Sequence, residues 1–249
     1  MGNIYYKETS RKKDQHCEQE INRFADKNFY PFFSEWFNAD SVERVKDRSR
    51  QLSGCDVIIR GNGQEANIDE KATSHYMNTS TRNFAAEVMS TDRSGNIRQG
   101  WFVDKGLKTN AYIAEFINLR EDKFPVIEGR PRENRYYEDM VAEDITSMEV
   151  AVMGKGMLQD ALLSVRTKRG EPLTVKRLEE DAKYLLRSNR KSIHYDGGDL
   201  FMYHSTDRPE SPVCLIIGPK YWKKAAIYHC NAYADRQPSV MKSSSRKVH

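Results

Sequence analysis

The sequence predicts an α/β or α+β protein, with strands at the centre and helices flanking them. Three observations predict it. Short apolar runs with strand-like alternation are separated by segments whose apolar residues fall at helical spacing. The chain has 249 residues, enough to bury a sizeable core in one large domain or two small ones. It also carries 13 Tyr, 10 Phe and 3 Trp, too many aromatics for a disordered chain despite a charged fraction of 31%.

The elements follow in order. Residues 1–13 are polar, end in Arg11-Lys12-Lys13 and read as a loose arm. Over 14–28, Cys17, Ile21, Phe24 and Ala25 fall at helical spacing behind Asp14, an N-cap residue type. Residues 29–37 form an aromatic-rich turn expected in the core, and a charged segment, 40–51, leads to the first strand. Strands are expected at 55–60, 65–73, 83–89 and 111–117. Segment 122–138, rich in Pro, Gly and charge, reads as a connection. Helices are expected near 144–163 and 174–188, strands at 199–204 and 213–217, and a helix from Tyr221. The Ser/Lys-rich tail 236–249 is expected to be disordered. These divide the chain into an arm (1–13), a core (14–120), a C-terminal α/β extension (121–235) and the tail.

Several classes are excluded or disfavoured. No run approaches the roughly 18–20 apolar residues of a membrane span. Met1 to Lys7 hold no apolar stretch suited to a secretory signal, and Tyr6 stands where a myristoylation site has Ser or Thr. Cys17, Cys55, Cys214 and Cys230 lie far apart without zinc-ligand spacing, so buried free thiols in a reducing cytoplasm are expected. A net charge of +4 permits a nucleic-acid partner without demanding one. Gly154-Lys155-Gly156 lacks P-loop spacing, no GxGxxG follows a strand, and the histidines stand isolated.

The informative segment is 54–73. Asn62-Gly63 is a favoured two-residue hairpin loop, since both positions tolerate positive φ. That loop pairs residues whose numbers sum to about 125, so Asp56 faces Asp69, Ile59 faces Ala66 and Arg60 faces Glu65. Side-chain alternation then puts Cys55, Val57, Ile59, Ala66, Ile68 and Ala72 on one face, broken only by Glu70. Asp56, Asp69 and Lys71 gather at one end of the other face. Directly opposed residues have Cβ atoms about 4.5–5.5 Å apart, close enough for two carboxylates to share one cation. The same residues also read as an ordinary ion cluster on a solvated edge hairpin.

Asp56 followed on the next strand by Asp69-Glu70-Lys71 resembles the PD-(D/E)XK, or restriction-endonuclease-like, nuclease superfamily. The resemblance covers residues 14–120; the proline of the family name is replaced by Cys55. It implies a mixed central sheet flanked by helices, with Asp56 and Asp69 as Mg²⁺ ligands and Lys71 orienting or activating the attacking water. Mn²⁺ is the natural substitute, and an all-oxygen donor set favours either over Zn²⁺. The family often adds a Glu from the helix before the hairpin. Glu20 is the preferred candidate for that catalytic and metal-binding role, Glu18 is the alternative, and Glu87 is a candidate from the following strand.

The expected function is therefore a Mg²⁺-dependent nuclease, cytoplasmic, with DNA the favoured substrate, and a homodimer if both strands are cut. Nine Lys/Arg against four acids between Leu162 and Lys191 suit a phosphate backbone. Arg166, Lys168, Arg169, Lys176, Arg177, Arg187, Arg190 and Lys191 are the candidate contacts, although such a run also reads as a solvated helix face. The rival expectation is a non-catalytic nucleic-acid-binding or protein-interaction module on the same fold.

Overall fold

The computed structural model describes residues 4–92, 94–124, 139–167, 170–206 and 211–243. The chain opens with helices α1 (Ile4–Asn28) and α2 (Tyr30–Phe37), strand β1 (Ser41–Arg44) and the short helix α3 (Arg48–Leu52). Strands β2 (Val57–Gly61), β3 (Gln64–Ala72), β4 (Phe84–Thr91), β5 (Ile97–Gln99) and β6 (Ala111–Leu119) follow. Then come β7 (Ile145–Gly154), helices α4 (Lys155–Leu163) and α5 (Val175–Arg187), and strands β8 (Ser192–Asp196), β9 (Leu200–His204) and β10 (Val213–Ile217). Helix α6 (Pro219–Ala225) and strands β11 (Ala226–Tyr233) and β12 (Ser239–Ser243) complete the order.

The strands form two sheets. The larger has seven strands in the order β1-β2-β3-β6-β7-β11-β12 and is mixed: β3 and β6 run parallel, and the other neighbours antiparallel. The smaller has five, ordered β5-β4-β10-β9-β8, all antiparallel. One face of the large sheet packs Val57, Ile68, Ile113, Ile117 and Val150 against the buried stripe of α1 (Cys17, Ile21, Phe24, Ala25) and the aromatics Phe29 and Phe33. The other face packs Tyr112, Ala114, Phe116, Ala151 and Met153 against the small sheet and helices α4, α5 and α6. The protein is thus mixed α/β, a central mixed sheet flanked by helices, with a second sheet forming part of one flank.

Several expectations are corrected. Helix α1 begins at Ile4, so the helix takes in most of the segment read as a loose arm. The aromatic turn is the helix α2, ended by Asn38 in the left-handed region at φ 52°. The segment read as one helix over 144–163 is a strand and then a helix. Ile145, Thr146, Val150 and Val152 are β-branched, and β7 has partners along both edges, so sheet pairing overrides the helical reading. Strand β12 pairs with β11, which places part of the expected tail in the sheet. Both sheets draw strands from either side of residue 120, so the C-terminal half completes the sheet that the N-terminal half starts. The connection over 125–138 and the tail end 244–249 lie outside the described residues. Among the described residues no helix is long and apolar enough to cross a membrane.

Candidate active site on the β2–β3 hairpin

Asn62 and Gly63 both have positive φ (53° and 72°), the two-residue turn that the sequence predicts. The register follows as far as Val57: Val57 pairs with Ile68, Ile59 with Ala66, and Arg60 with Glu65, whose carboxylate accepts from Arg60 Nε at 2.9 Å. Asp56, expected opposite Asp69, instead lies ahead of β2 and donates its N–H to the Ile68 carbonyl at 2.8 Å. Alternation then sends Asp69 and Lys71 to one face of β3 and Glu70 to the other. A one-residue slip would exchange the two sets.

On the first face, Asp69 is 4% exposed and ion-paired with the Lys71 ammonium. Asp56 interacts directly with the Asp69 carboxyl, and its Oδ2 also accepts from the backbone N–H of Glu70 at 3.0 Å. Burial pushes the Asp69 carboxyl up to about 7; Lys71 opposes that rise and Asp56 adds to it. Burial alone would lower the Lys71 ammonium, but the charges of Asp69 and Asp56 outweigh it and hold the group above its ordinary value. The ammonium rests over the ring of Trp101, 4.9 Å from the centroid. Trp101 gets there because Gly100 lies against β4: a Cβ at Gly100 would stand 2.4 Å from the Glu87 carbonyl oxygen.

The other face holds its carboxylate differently. Glu70 accepts from Tyr30 Oη at 2.6 Å and is ion-paired with Arg44, whose guanidinium also grips Asp26 at 2.7 Å. Diagonally across from Glu70, on β6, is Glu115, 1% exposed, with Oε1 lacking a hydrogen-bond partner among the described residues. Burial first, and the nearby Glu70 charge second, raise its carboxyl well above the ordinary range.

The two α1 candidates divide. Glu20 is drawn off: its Oε2 accepts from the Ala142 N–H at 2.8 Å and lies 3.3 Å from Arg23. It is not at the hairpin. Glu18, though exposed, is the carboxylate near the site, raised by partial burial and then by the Asp56 charge, with Lys71 opposing. Two residues apart on a helix is about 200°, so Glu18 and Glu20 flank the buried stripe on opposite sides. Glu87 sits in the small sheet, paired in register with Cys214.

The basic segment is spread around α5. Arg166, Lys176, Arg187, Arg190 and Lys191 are exposed, while Arg177 is bound to the buried Asp181 at 2.8 Å. Lys168 and Arg169 lie outside the described residues. Arg177 and Arg190, with Tyr184, His194 and Tyr195, line a cavity of about 660 Å³. Arg177 is the weakest of the candidates, since its charge already has a partner.

Sequence reasoning missed Trp101 and Lys155. The Asp69 and Asp104 charges both act on the Lys155 ammonium, which burial lowers, and Lys155 Nζ donates to the Asp104 carbonyl at 3.1 Å. The only sequence signal was Gly154-Lys155-Gly156, which has the wrong spacing for the motif it resembles. As to metal, two converging carboxylates, one of them raised towards sharing a proton, are a donor set that a hard divalent cation fits. Among the described residues, however, no group of three or more His, Cys, Asp or Glu is gathered as a metal site. Such a cation would take its other ligands from water and substrate. Comparisons with protein-family models, with curated proteins and with solved structures each find no match for this chain.

Proposed function

We propose that this chain is a divalent-cation-dependent nuclease of the restriction-endonuclease-like type, hydrolysing phosphodiester bonds with DNA favoured over RNA. The observation that carries the reading is the meeting of Asp56, just ahead of β2, with Asp69 and Lys71 on one face of β3. Asp56 and Asp69 would hold Mg²⁺ or Mn²⁺, which supplies Lewis-acid activation of water and phosphate. Lys71, steadied on Trp101, orients the attacking water and offsets the charge that grows on the phosphate. One P–O bond forms to the water oxygen, which gives up a proton to solvent, as the bond to the leaving sugar oxygen breaks and that oxygen takes up a proton from solvent. Asp69 must be deprotonated to serve. The exposed Arg166, Lys176, Arg187, Arg190 and Lys191 would add sequence-independent backbone affinity.

A second reading has its own support. Asp69 is nearly closed off and already neutralised by Lys71, as in a hairpin whose charges serve the fold of a nucleic-acid-binding or protein-interaction module. One experiment separates the two. Supercoiled plasmid, single-stranded DNA and RNA are incubated with the full chain in Mg²⁺ or Mn²⁺, against EDTA and the Asp69→Ala and Lys71→Ala variants. Metal-dependent cutting lost in both variants is expected. Absence of cutting on every substrate, with no Mn²⁺ bound to the wild-type chain, leaves the module reading.

A further inference from the structure

Resting on the nuclease reading, we propose that Lys155 is a second substrate-contacting lysine of this site, holding a non-bridging phosphate oxygen on the side away from Lys71. The sheet register brings it there. Ile68 on β3 pairs with Ala111 on β6, and Ala111 pairs with Gly154 on β7, so Lys155 leaves the sheet two strands from the Asp69 level. Two strand spacings are about 10 Å, a gap that a lysine side chain and one phosphate group bridge. The start of α4 is pinned in that position by the Lys155 N–H, which donates to the Asn110 carbonyl at 2.8 Å.

The loop between β5 and β6 ties the two lysines together. Its Trp101 lies under the Lys71 ammonium at 4.9 Å, and three residues on its Asp104 carbonyl accepts from Lys155 at 3.1 Å. Two ammonium groups therefore bracket one loop, with Asp69 within electrostatic range of both. Between them on β6, opposite Asp69 on one side and Met153 on the other, stands Tyr112. It is fully buried, and its hydroxyl has no hydrogen-bond partner among the described residues. The single bond from Lys155 to a carbonyl leaves its charge uncompensated by any ion pair among the described residues.

Charge balance gives that ammonium a task. Hydrolysis turns a singly charged phosphodiester into a doubly charged transition state. Two carboxylates and that phosphate carry four negative charges, against which one divalent cation and Lys71 supply three positive ones. Lys155 supplies a fourth positive charge, against a deficit that the nearby Glu18 carboxylate deepens.

The test uses the full chain and a fluorescein-labelled 24-base-pair duplex, with binding followed by anisotropy in Ca²⁺ across a salt series. Lys155→Gln keeps a donor for the Asp104 carbonyl, and so the loop, while removing the charge. It is expected to weaken binding about tenfold and to reduce the salt slope by about one. Lys155→Arg is expected to stay within about threefold of wild type. An unchanged affinity and slope in Lys155→Gln overturns the proposal. So does a loss of affinity with an unchanged slope, which would mark a lysine that only holds the loop. Failure of the nuclease reading is distinguishable, because it shows in the wild-type chain as an absence of metal-dependent cutting, whether or not the duplex is bound.

Discussion

Asp69 and Glu70 are sequence neighbours on opposite faces of β3, and the protein meets their charges in opposite ways. Glu70 is held by Tyr30 and by Arg44, and Arg44 is itself braced by Asp26. Asp69 has a lysine with 31% of its side chain exposed and a second carboxylate, Asp56, pressed against it. The first arrangement opposes with fixed donors, Arg44 and Tyr30, the rise that burial imposes on the Glu70 carboxyl. The second leaves a carboxylate raised to about 7, poised between binding a proton and binding a cation. The difference separates a charge retained for structure from one available for chemistry.

The largest effect expected from this contrast is on stability. Arg44→Met removes the charged partner of Glu70 and is expected to cost about 3–5 kcal/mol in urea unfolding, since a buried charge is left uncompensated. Lys71→Met is expected to cost about 1 kcal/mol or less at pH 6, because its ammonium is partly exposed and Asp69 can take a proton instead. Equal costs for the two variants at pH 6 would erase the distinction between the faces.

The second effect is a pH dependence. The Asp69 carboxyl is near 7 in the folded chain and near the ordinary carboxylate value when unfolded, so folding takes up a proton between those limits. Its contribution is complete below about pH 4 and is lost as pH rises through about 7. Unfolding at pH 5 and pH 8 should show a fall in wild-type stability of which Asp69→Asn lacks about 2–3 kcal/mol. Cleavage should move the other way, rising with pH through about 7, and its midpoint should drop as Mg²⁺ is increased, because cation and proton compete for one carboxylate. A midpoint indifferent to Mg²⁺ concentration would uncouple Asp69 from the cation.

How much of this was legible in the sequence depended on how local the determining forces are. The hairpin was legible because Asn62-Gly63 sets turn type and register within a few residues. The strand Val213–Ile217 and the helix Val175–Arg187 were legible because their apolar periods are strong, the helix burying Leu178, Ala182 and Leu185. Strands β7 and β11 were not. From Val150 on, β7 is buried on both faces, as is most of β11, so these stretches follow no alternation, and sheet partners from distant parts of the chain decide their state. The site divides the same way. Asp56, Asp69 and Lys71 share one hairpin, whereas Trp101 and Lys155 arrive through a loop and a strand end far along the chain. Helical spacing favoured Glu20 over Glu18, and what sits beside each flank of α1, set by distant parts of the chain, reverses that preference.

That choice yields the smallest effect. Glu18 acts on Asp56 and Lys71 through space, with no direct bond to either among the described residues, so Glu18→Gln is expected to lower cleavage about fivefold, roughly 1 kcal/mol in the barrier. Its signature is a pH profile displaced to lower pH, because removing a negative charge near the site eases deprotonation of Asp69. Glu20→Gln should leave both rate and profile unchanged, since its carboxylate is engaged with the Ala142 N–H and Arg23. Its cost should appear in thermal unfolding as about 1 kcal/mol from the lost charge-assisted hydrogen bond. Reversed outcomes, with cleavage falling in Glu20→Gln and intact in Glu18→Gln, would mean that α1 sits at the hairpin with its other flank forward, and would restore Glu20 as the helix carboxylate of the site.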